Sequence, residues 1–189
     1  MRTSASLLSC LIGTLLCAQV TLHHNAAEYR ANTGEDLGQY VDVVIAMGRY
    51  VLVVRKDGVE RRLPCKDLWG FTYKGVLFRF SSEGHVPVRL MKEGAMCYFE
   101  NGFAHLRMVH DGTEVAHATQ GHRSYLSRDL DGPIVPAVFK EGDGRSASGR
   151  YRAQYPAFEA LFTCIGDQDD LEHNRQCVVD FEVALEGGR

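Results

Sequence analysis

Apolar and polar positions alternate along much of the chain between Tyr40 and Thr119, and an X-Gly pair interrupts the alternation at short intervals. From Asp57 onward these pairs are Asp57-Gly58, Lys74-Gly75, Glu83-Gly84, Glu93-Gly94, Asn101-Gly102 and Asp111-Gly112. Short runs of β-branched and aromatic residues, separated by pairs that accept a positive φ, predict antiparallel hairpins in series.

A two-residue turn sets the register of its hairpin, so facing residues can be written down in advance. Around Lys74-Gly75, Tyr73 faces Val76, Phe71 faces Phe78 and Trp69 faces Phe80, all on one face. Around Asn101-Gly102, Phe99 faces Ala104 and Cys97 faces Leu106, with Ala95 and Met108 continuing an apolar row. The other face of that hairpin carries Met96, Tyr98, Glu100, Phe103, His105 and Arg107. Around Asp57-Gly58, Arg55 faces Glu60.

The pattern changes at both ends. Residues 19–38 are polar and small and read as an irregular lead-in. Residues 120–154 contain Gly132-Pro133 and a breaker-rich run from Glu141 to Gly149, and read as a long, mobile loop with an extended strap over 131–138. Helical spacing then takes over. Pro156 suits a first helical position, Phe158, Leu161, Phe162 and Ile165 follow at i, i+3, i+4 and i+7, and Gly166 suits the stop. A second helix has Asp169 and Glu172 as its cap and Leu171, Val178, Phe181 and Leu185 as its stripe. Val179, Phe181, Val183 and Leu185 also alternate, so residues 177–185 read as helix or strand.

These elements predict a mainly β fold with C-terminal α (α+β). It is a single domain over 39–187, made of a meander (39–119), a loop (120–154) and a helical tail (155–187). Roughly seven to nine antiparallel strands curl into a partial barrel or sandwich, with one or two helices at the C-terminal end.

Composition narrows the setting. The chain has 189 residues and a formal charge of −3, enough for one core and without the concentrated positive charge that a nucleic-acid partner needs. Arg2 followed by an apolar run through Leu16 reads as a signal peptide over residues 1–18, cut after Ala18. The expected location is therefore secreted or periplasmic, with no transmembrane segment after signal removal.

Removal of the signal takes Cys10 and Cys17 and leaves Cys65, Cys97, Cys164 and Cys177, none in a Cys-x-x-Cys pair. An oxidising compartment and closeness in sequence favour a Cys164–Cys177 disulfide. Antiparallel helices about 8–10 Å apart leave the two cysteines at different heights, beyond the reach of about 7 Å that a bridge has. The bond thus requires a second helix that starts late, near Asn174; a start at Asp170 leaves free thiols. Cys97 reads either as a buried thiol or as a partner of Cys65.

Candidate chemistry is sparse. His105, His110, His117 and His122 are close in sequence, but the register puts His110 opposite Thr113 and His117 opposite Leu106, about 13 Å apart along the strand. No metal site and no cofactor are expected. Gly144 to Gly149 lacks both the final Gly spacing and the preceding strand of a nucleophile elbow. The acidic groups at Asp129-Asp131 and Asp167-Asp170 do not complete a calcium loop, and the second suits helix capping.

Tyr98, His105 and Arg107 share the predicted wet face and are the candidate ligand-binding residues, joining an aromatic plane, a titratable ring and a guanidinium. The competing reading is an ordinary solvated face. The functional expectation is an exported, non-catalytic binding or structural domain of the envelope or extracellular space, with an unidentified ligand or partner. The second expectation is a hydrolase drawing on His122, Asp129 or Asp131 together with His105.

Overall fold

The chain reverses where two successive residues both hold positive φ: Met47-Gly48 (51° and 72°), Asp57-Gly58 (52° and 79°), Lys74-Gly75 (52° and 76°) and Gly84-His85 (72° and 53°). This is the backbone that matches the twist of a tight hairpin. The computed structural model describes residues 19–103, 105–110, 113–119, 121–139 and 144–188. The expected signal segment with its cut after Ala18, and the Asp111-Gly112 turn, lie outside them.

The strands are β1 (Val20–His23), β2 (Glu35–Gly38), β3 (Tyr40–Ala46), β4 (Arg49–Lys56), β5 (Val59–Pro64), β6 (Gly70–Tyr73), β7 (Val76–Phe80), β8 (Pro87–Lys92), β9 (Cys97–Asn101), β10 (His105–His110), β11 (Thr113–Thr119), β12 (Ser124–Ser127) and β13 (Val135–Pro136). Eight of them form an antiparallel sheet in the order β13-β12-β9-β8-β7-β6-β1-β2, and five form a second sheet in the order β11-β10-β3-β4-β5. The second sheet is mixed, because β10 runs parallel to β3. Neither closes into a barrel, and the helices lie toward the C-terminus. The expected α+β class is the observed one.

Cross-strand partners share a face, so the pairings trace one row across the eight-stranded sheet: Leu22, Phe71, Phe78, Arg89, Glu100, Ser124. At its apolar end the row packs against the five-stranded sheet, where Leu22, Phe71 and Phe78 meet Val43, Leu52 and Leu106. At its other end the same face carries helices. These are α2 (Ala147–Gln154), α3 (Glu159–Ile165) and α4 (Leu171–Gly187), whose Tyr151, Phe162 and Val178 pack on Tyr98 and Leu126. The reverse face is covered by α1 (Ala26–Arg30) and by Leu130 and Ile134, packed on Leu77 and Phe99.

Several expectations hold residue for residue. Phe71 faces Phe78 with rings stacked at 5.0 Å, Tyr73 faces Val76, Arg55 faces Glu60 and His110 faces Thr113. Pro156 opens a 3-10 turn that runs into α3, and Gly166 ends that helix at φ 59°. Residues 177–185 are helical.

Others are corrected. The Asn101-Gly102 pair makes no hairpin: β9 lies between β8 and β12, while β10 belongs to the other sheet. Neither residue has positive φ. Gly102 instead donates its amide to Pro87 O at 2.9 Å, and a Cβ on it would stand 2.8 Å from the Phe78 ring. Here glycine serves close approach, as the chain crosses from one sheet to the other. Trp69 precedes β6 and leaves the aromatic row, packing over Arg79 on the reverse face. His117 faces Arg107 rather than Leu106, because a bulge between Met108 and Val109 shifts the register.

The lead-in over 19–38 is ordered as β1, α1 and β2, with Val20, Leu22 and Leu37 buried. Its polar residues are structural. Asn25 caps α1 through the Glu28 amide, and buried His23 contacts Thr33 O at 2.7 Å. Residues 120–154 likewise hold β12, β13 and α2. Four-residue strands offer too few positions for a period to show.

The Cys164–Cys177 disulfide is present although α4 starts early, at Leu171, with Asp170 rather than Asp169 as its cap. The expected conflict came from using the distance between helix axes. Facing Cα atoms each stand about 2.3 Å inside their axis, which shortens the gap accordingly; the observed Cα separation is 5.8 Å. Cys65 and Cys97 are buried and unbridged, and burial pushes both thiols up to about 12.

Candidate functional site

The division into two sheets decides where the sequence-predicted ligand residues go. Tyr98 is 1% exposed beneath the helices and donates its hydroxyl to Glu100 at 3.3 Å; burial, then the Glu100 charge, raises its pKa. His105 and Arg107 stand on β10 in the other sheet, His105 exposed and Arg107 donating to Asp42 from Nε at 2.9 Å. That bond raises the Arg107 pKa. The aromatic plane and the guanidinium therefore occupy separate layers and make no joint surface.

The residues of the hydrolase expectation are also dispersed. Asp129 accepts the amides of Asp131 and Gly132 in its own turn, at 3.0 and 2.7 Å. Asp131 accepts Ala26 N and Trp69 Nε1 at 2.9 and 2.8 Å beneath α1. His122 sits on an open depression beside Asp169 and Arg175. His105 is in the five-stranded sheet. No general base stands beside a nucleophile in this set. Ser146 caps α2 and buried Ser148 donates to Pro136 O at 2.8 Å, which accounts for the serine-rich run.

Two buried ionic features escaped the sequence reading. Glu100 is fully buried and held by Arg175 (Nε 2.6 Å, Nη2 2.9 Å) and by Arg89 (3.0 Å). Burial works to raise its carboxyl, yet the hydrogen bonds from Arg175 and Arg89 outweigh it and leave the pKa below the ordinary value. Arg175 is raised in return, first by its bond to Glu100. Next to this cluster Asn174 donates to Ser124 Oγ at 2.7 Å, tying α4 to β12. On the reverse face Arg79, 6% exposed, lies 4.1 Å over the Trp69 ring and donates to Trp69 O. Burial lowers its pKa to about 10.

The concavity best suited to a ligand lies at one mouth between the sheets. The Met47-Gly48 turn of the five-stranded sheet and the Gly84-His85 turn of the eight-stranded sheet flank a cleft of about 730 Å³. Tyr50, Val51 and Pro64 give it an apolar lining, and Arg49, Lys66 and His85 bring cationic or titratable heads. No Asp or Glu lines it. Lys66 reaches Asp67 only at 3.8 Å, and no ion pair involves Arg49 among the described residues.

Met47 is 79% exposed at φ 51°, a conformation that costs a side chain of this kind about 1–2 kcal/mol. A strained, apolar hairpin tip beside a cationic lining that includes no carboxylate marks this cleft out. A second cleft, about 420 Å³ near Gly38, has its cations paired: Lys56 with Asp36 at 2.9 Å and Arg55 with Glu60.

Met47-Gly48 carries the same X-Gly signal as the later turns, one hairpin earlier. Arg49, Lys66 and His85 come from three separate segments and share no local pattern. No family model matches this chain, and neither a curated protein nor a solved structure does. Among the described residues one group of potential metal ligands is compact: Cys164, His173 and Cys177 offer ligand atoms within 4.8 Å of one another.

Proposed function

We propose that this protein is an exported, non-catalytic binding module whose ligand is an anionic amphiphile, held in the cleft between the Met47-Gly48 and Gly84-His85 turns. The carrying observation is the lining: Arg49, Lys66 and His85 over Tyr50, Val51 and Pro64, without a carboxylate. A concave apolar wall with a few convergent polar heads is the usual build of a small-molecule site. A carboxylate or sulfate head fits the cationic rim, and an alkyl chain fits the apolar wall and the exposed Met47. The Cys164–Cys177 disulfide supports an oxidising compartment, and no helix among the described residues is long and apolar enough to cross a membrane.

Calorimetric titration with dodecanoate, dodecanol and dodecylamine tests this reading. Dodecanoate is expected to bind best, and Arg49→Ala with Lys66→Ala to weaken it by about tenfold, or about 1.4 kcal/mol. Equal binding of the acid and the alcohol, or an unchanged affinity in the double variant, overturns the proposal.

A further inference from the structure

His173 and Cys177 lie one turn apart on α4, in an H-x-x-x-C spacing that places both side chains on one helix face. Cys164, from the end of α3, meets them across the helix pair. The imidazole Nε2 is 2.8 Å from the Cys164 carbonyl oxygen and 3.6 Å from Cys177 Sγ. Tetrahedral zinc, with Zn–S about 2.3 Å and Zn–N about 2.0–2.1 Å, holds sulfur and nitrogen about 3.6 Å apart. The His173–Cys177 edge of such a site is therefore already at its required length. Two thiolates on one zinc stand about 3.8 Å apart, so the sulfurs need to part by roughly 1.7 Å once the bond between them is broken.

We infer that Cys164, His173 and Cys177 form a thiolate–imidazole zinc site when the disulfide is reduced, so that disulfide and metal are alternative occupants of one place. Cys164 is exposed, which gives a reductant access to the bridge, while Cys177 is buried beneath it. The chemistry balances. A dithiol reduces the disulfide to two thiols and is itself oxidised to a cyclic disulfide. Zinc binding then releases both thiol protons to solvent. A carbonyl oxygen only accepts, so Nε2 carries the proton in the oxidised protein; on metal binding that proton moves to Nδ1 through solvent, and Nε2 exchanges the Cys164 carbonyl for the ion. With three protein ligands, the fourth position goes to water, on the side of the exposed Cys164.

The test uses the full mature chain, oxidised or reduced with a phosphine that is then removed, titrated with Co²⁺ under anaerobic conditions. The reduced protein is expected to take up one Co²⁺ per chain with a thiolate-to-cobalt charge-transfer band, which Zn²⁺ abolishes by displacement. The oxidised protein is expected to show none. Cys164→Ser and His173→Ala are each expected to weaken binding by more than about a hundredfold, beyond what loss of an outer-shell partner costs. Because reduction removes the covalent tie between α3 and α4, thermal unfolding of the unsubstituted protein gives a second readout: Zn²⁺ raises the melting temperature of the reduced form and leaves that of the oxidised form unchanged. Absence of the charge-transfer band, or binding that both substitutions leave intact, overturns the inference. The dodecanoate titration is independent of this result, since no cleft residue is shared.

Discussion

One face of the eight-stranded sheet is finished in two different ways. Toward β1 it is apolar: Leu22, Phe71 and Phe78 are covered by Val43, Leu52 and Leu106 of the second sheet. Toward β12 the same row becomes Arg89, Glu100 and Ser124 and is covered by Arg175 and Asn174 of α4. The first end is held by non-directional burial, which rewards any close fit of about the right volume. The second end also buries apolar side chains, with Phe162 and Val178 on Tyr98 and Leu126, but adds charged hydrogen bonds that form in one geometry only. Burial holds both ends together, and at the second the ionic cluster adds a directional contact between α4 and the sheet.

The sharpest way to break this contrast is a volume-conserving change at each end. Glu100→Gln leaves two arginines facing a neutral amide, and unfolding by urea is expected to show a loss of about 3 kcal/mol. This lies at the low end for a broken buried pair, because Arg89 and Arg175 keep contact with solvent. The loss has a pH signature. Glu100 titrates below its unfolded value of about 4.3, so its stabilisation is complete above that value and disappears as pH falls through the folded pKa. The unsubstituted protein should therefore lose more stability on acidification below about pH 4 than Glu100→Gln does.

A smaller effect is expected when the whole cluster becomes apolar. Arg89→Met, Glu100→Leu and Arg175→Met together should leave stability unchanged or raise it by at most about 2 kcal/mol, the lower part of the range for a buried cluster because both arginines keep contact with solvent, while loosening the seat of α4. Hydrogen exchange of the α4 amides reads the second part; protection equal to that of the unsubstituted protein sinks the assignment of an orienting role. The smallest effect belongs to the apolar end, where Leu22→Met should cost less than about 1.5 kcal/mol in the same urea experiment. A loss there as large as that of Glu100→Gln removes the distinction between the two ends.

The apolar end was also the readable one. Phe71 opposite Phe78 follows from a two-residue turn, since Lys74-Gly75 brings its own strands together whatever else the chain does. The polar end was not readable. Glu100 and Arg175 are 75 residues apart, and each alone looks like a surface charge. The same blindness affects the cleft, whose Arg49, Lys66 and His85 belong to three segments. It also explains why Tyr98, His105 and Arg107 were grouped: Asn101-Gly102 has a hairpin's residues, but the Phe78 ring and the Pro87 carbonyl occupy the space beside it.

Local chemistry by itself determined the α+β class, the tight turns at Asp57-Gly58 and Lys74-Gly75, and the helix that stops at Gly166. Each depends on φ preferences and on periods spanning only a few residues. Tertiary structure alone decided that β9 and β10 part into different sheets, that β10 runs beside β3, and that Glu100 meets Arg175. Those outcomes are choices among distant partners, made by competition for burial and for hydrogen bonds, and such competition leaves no trace in any short window of the chain.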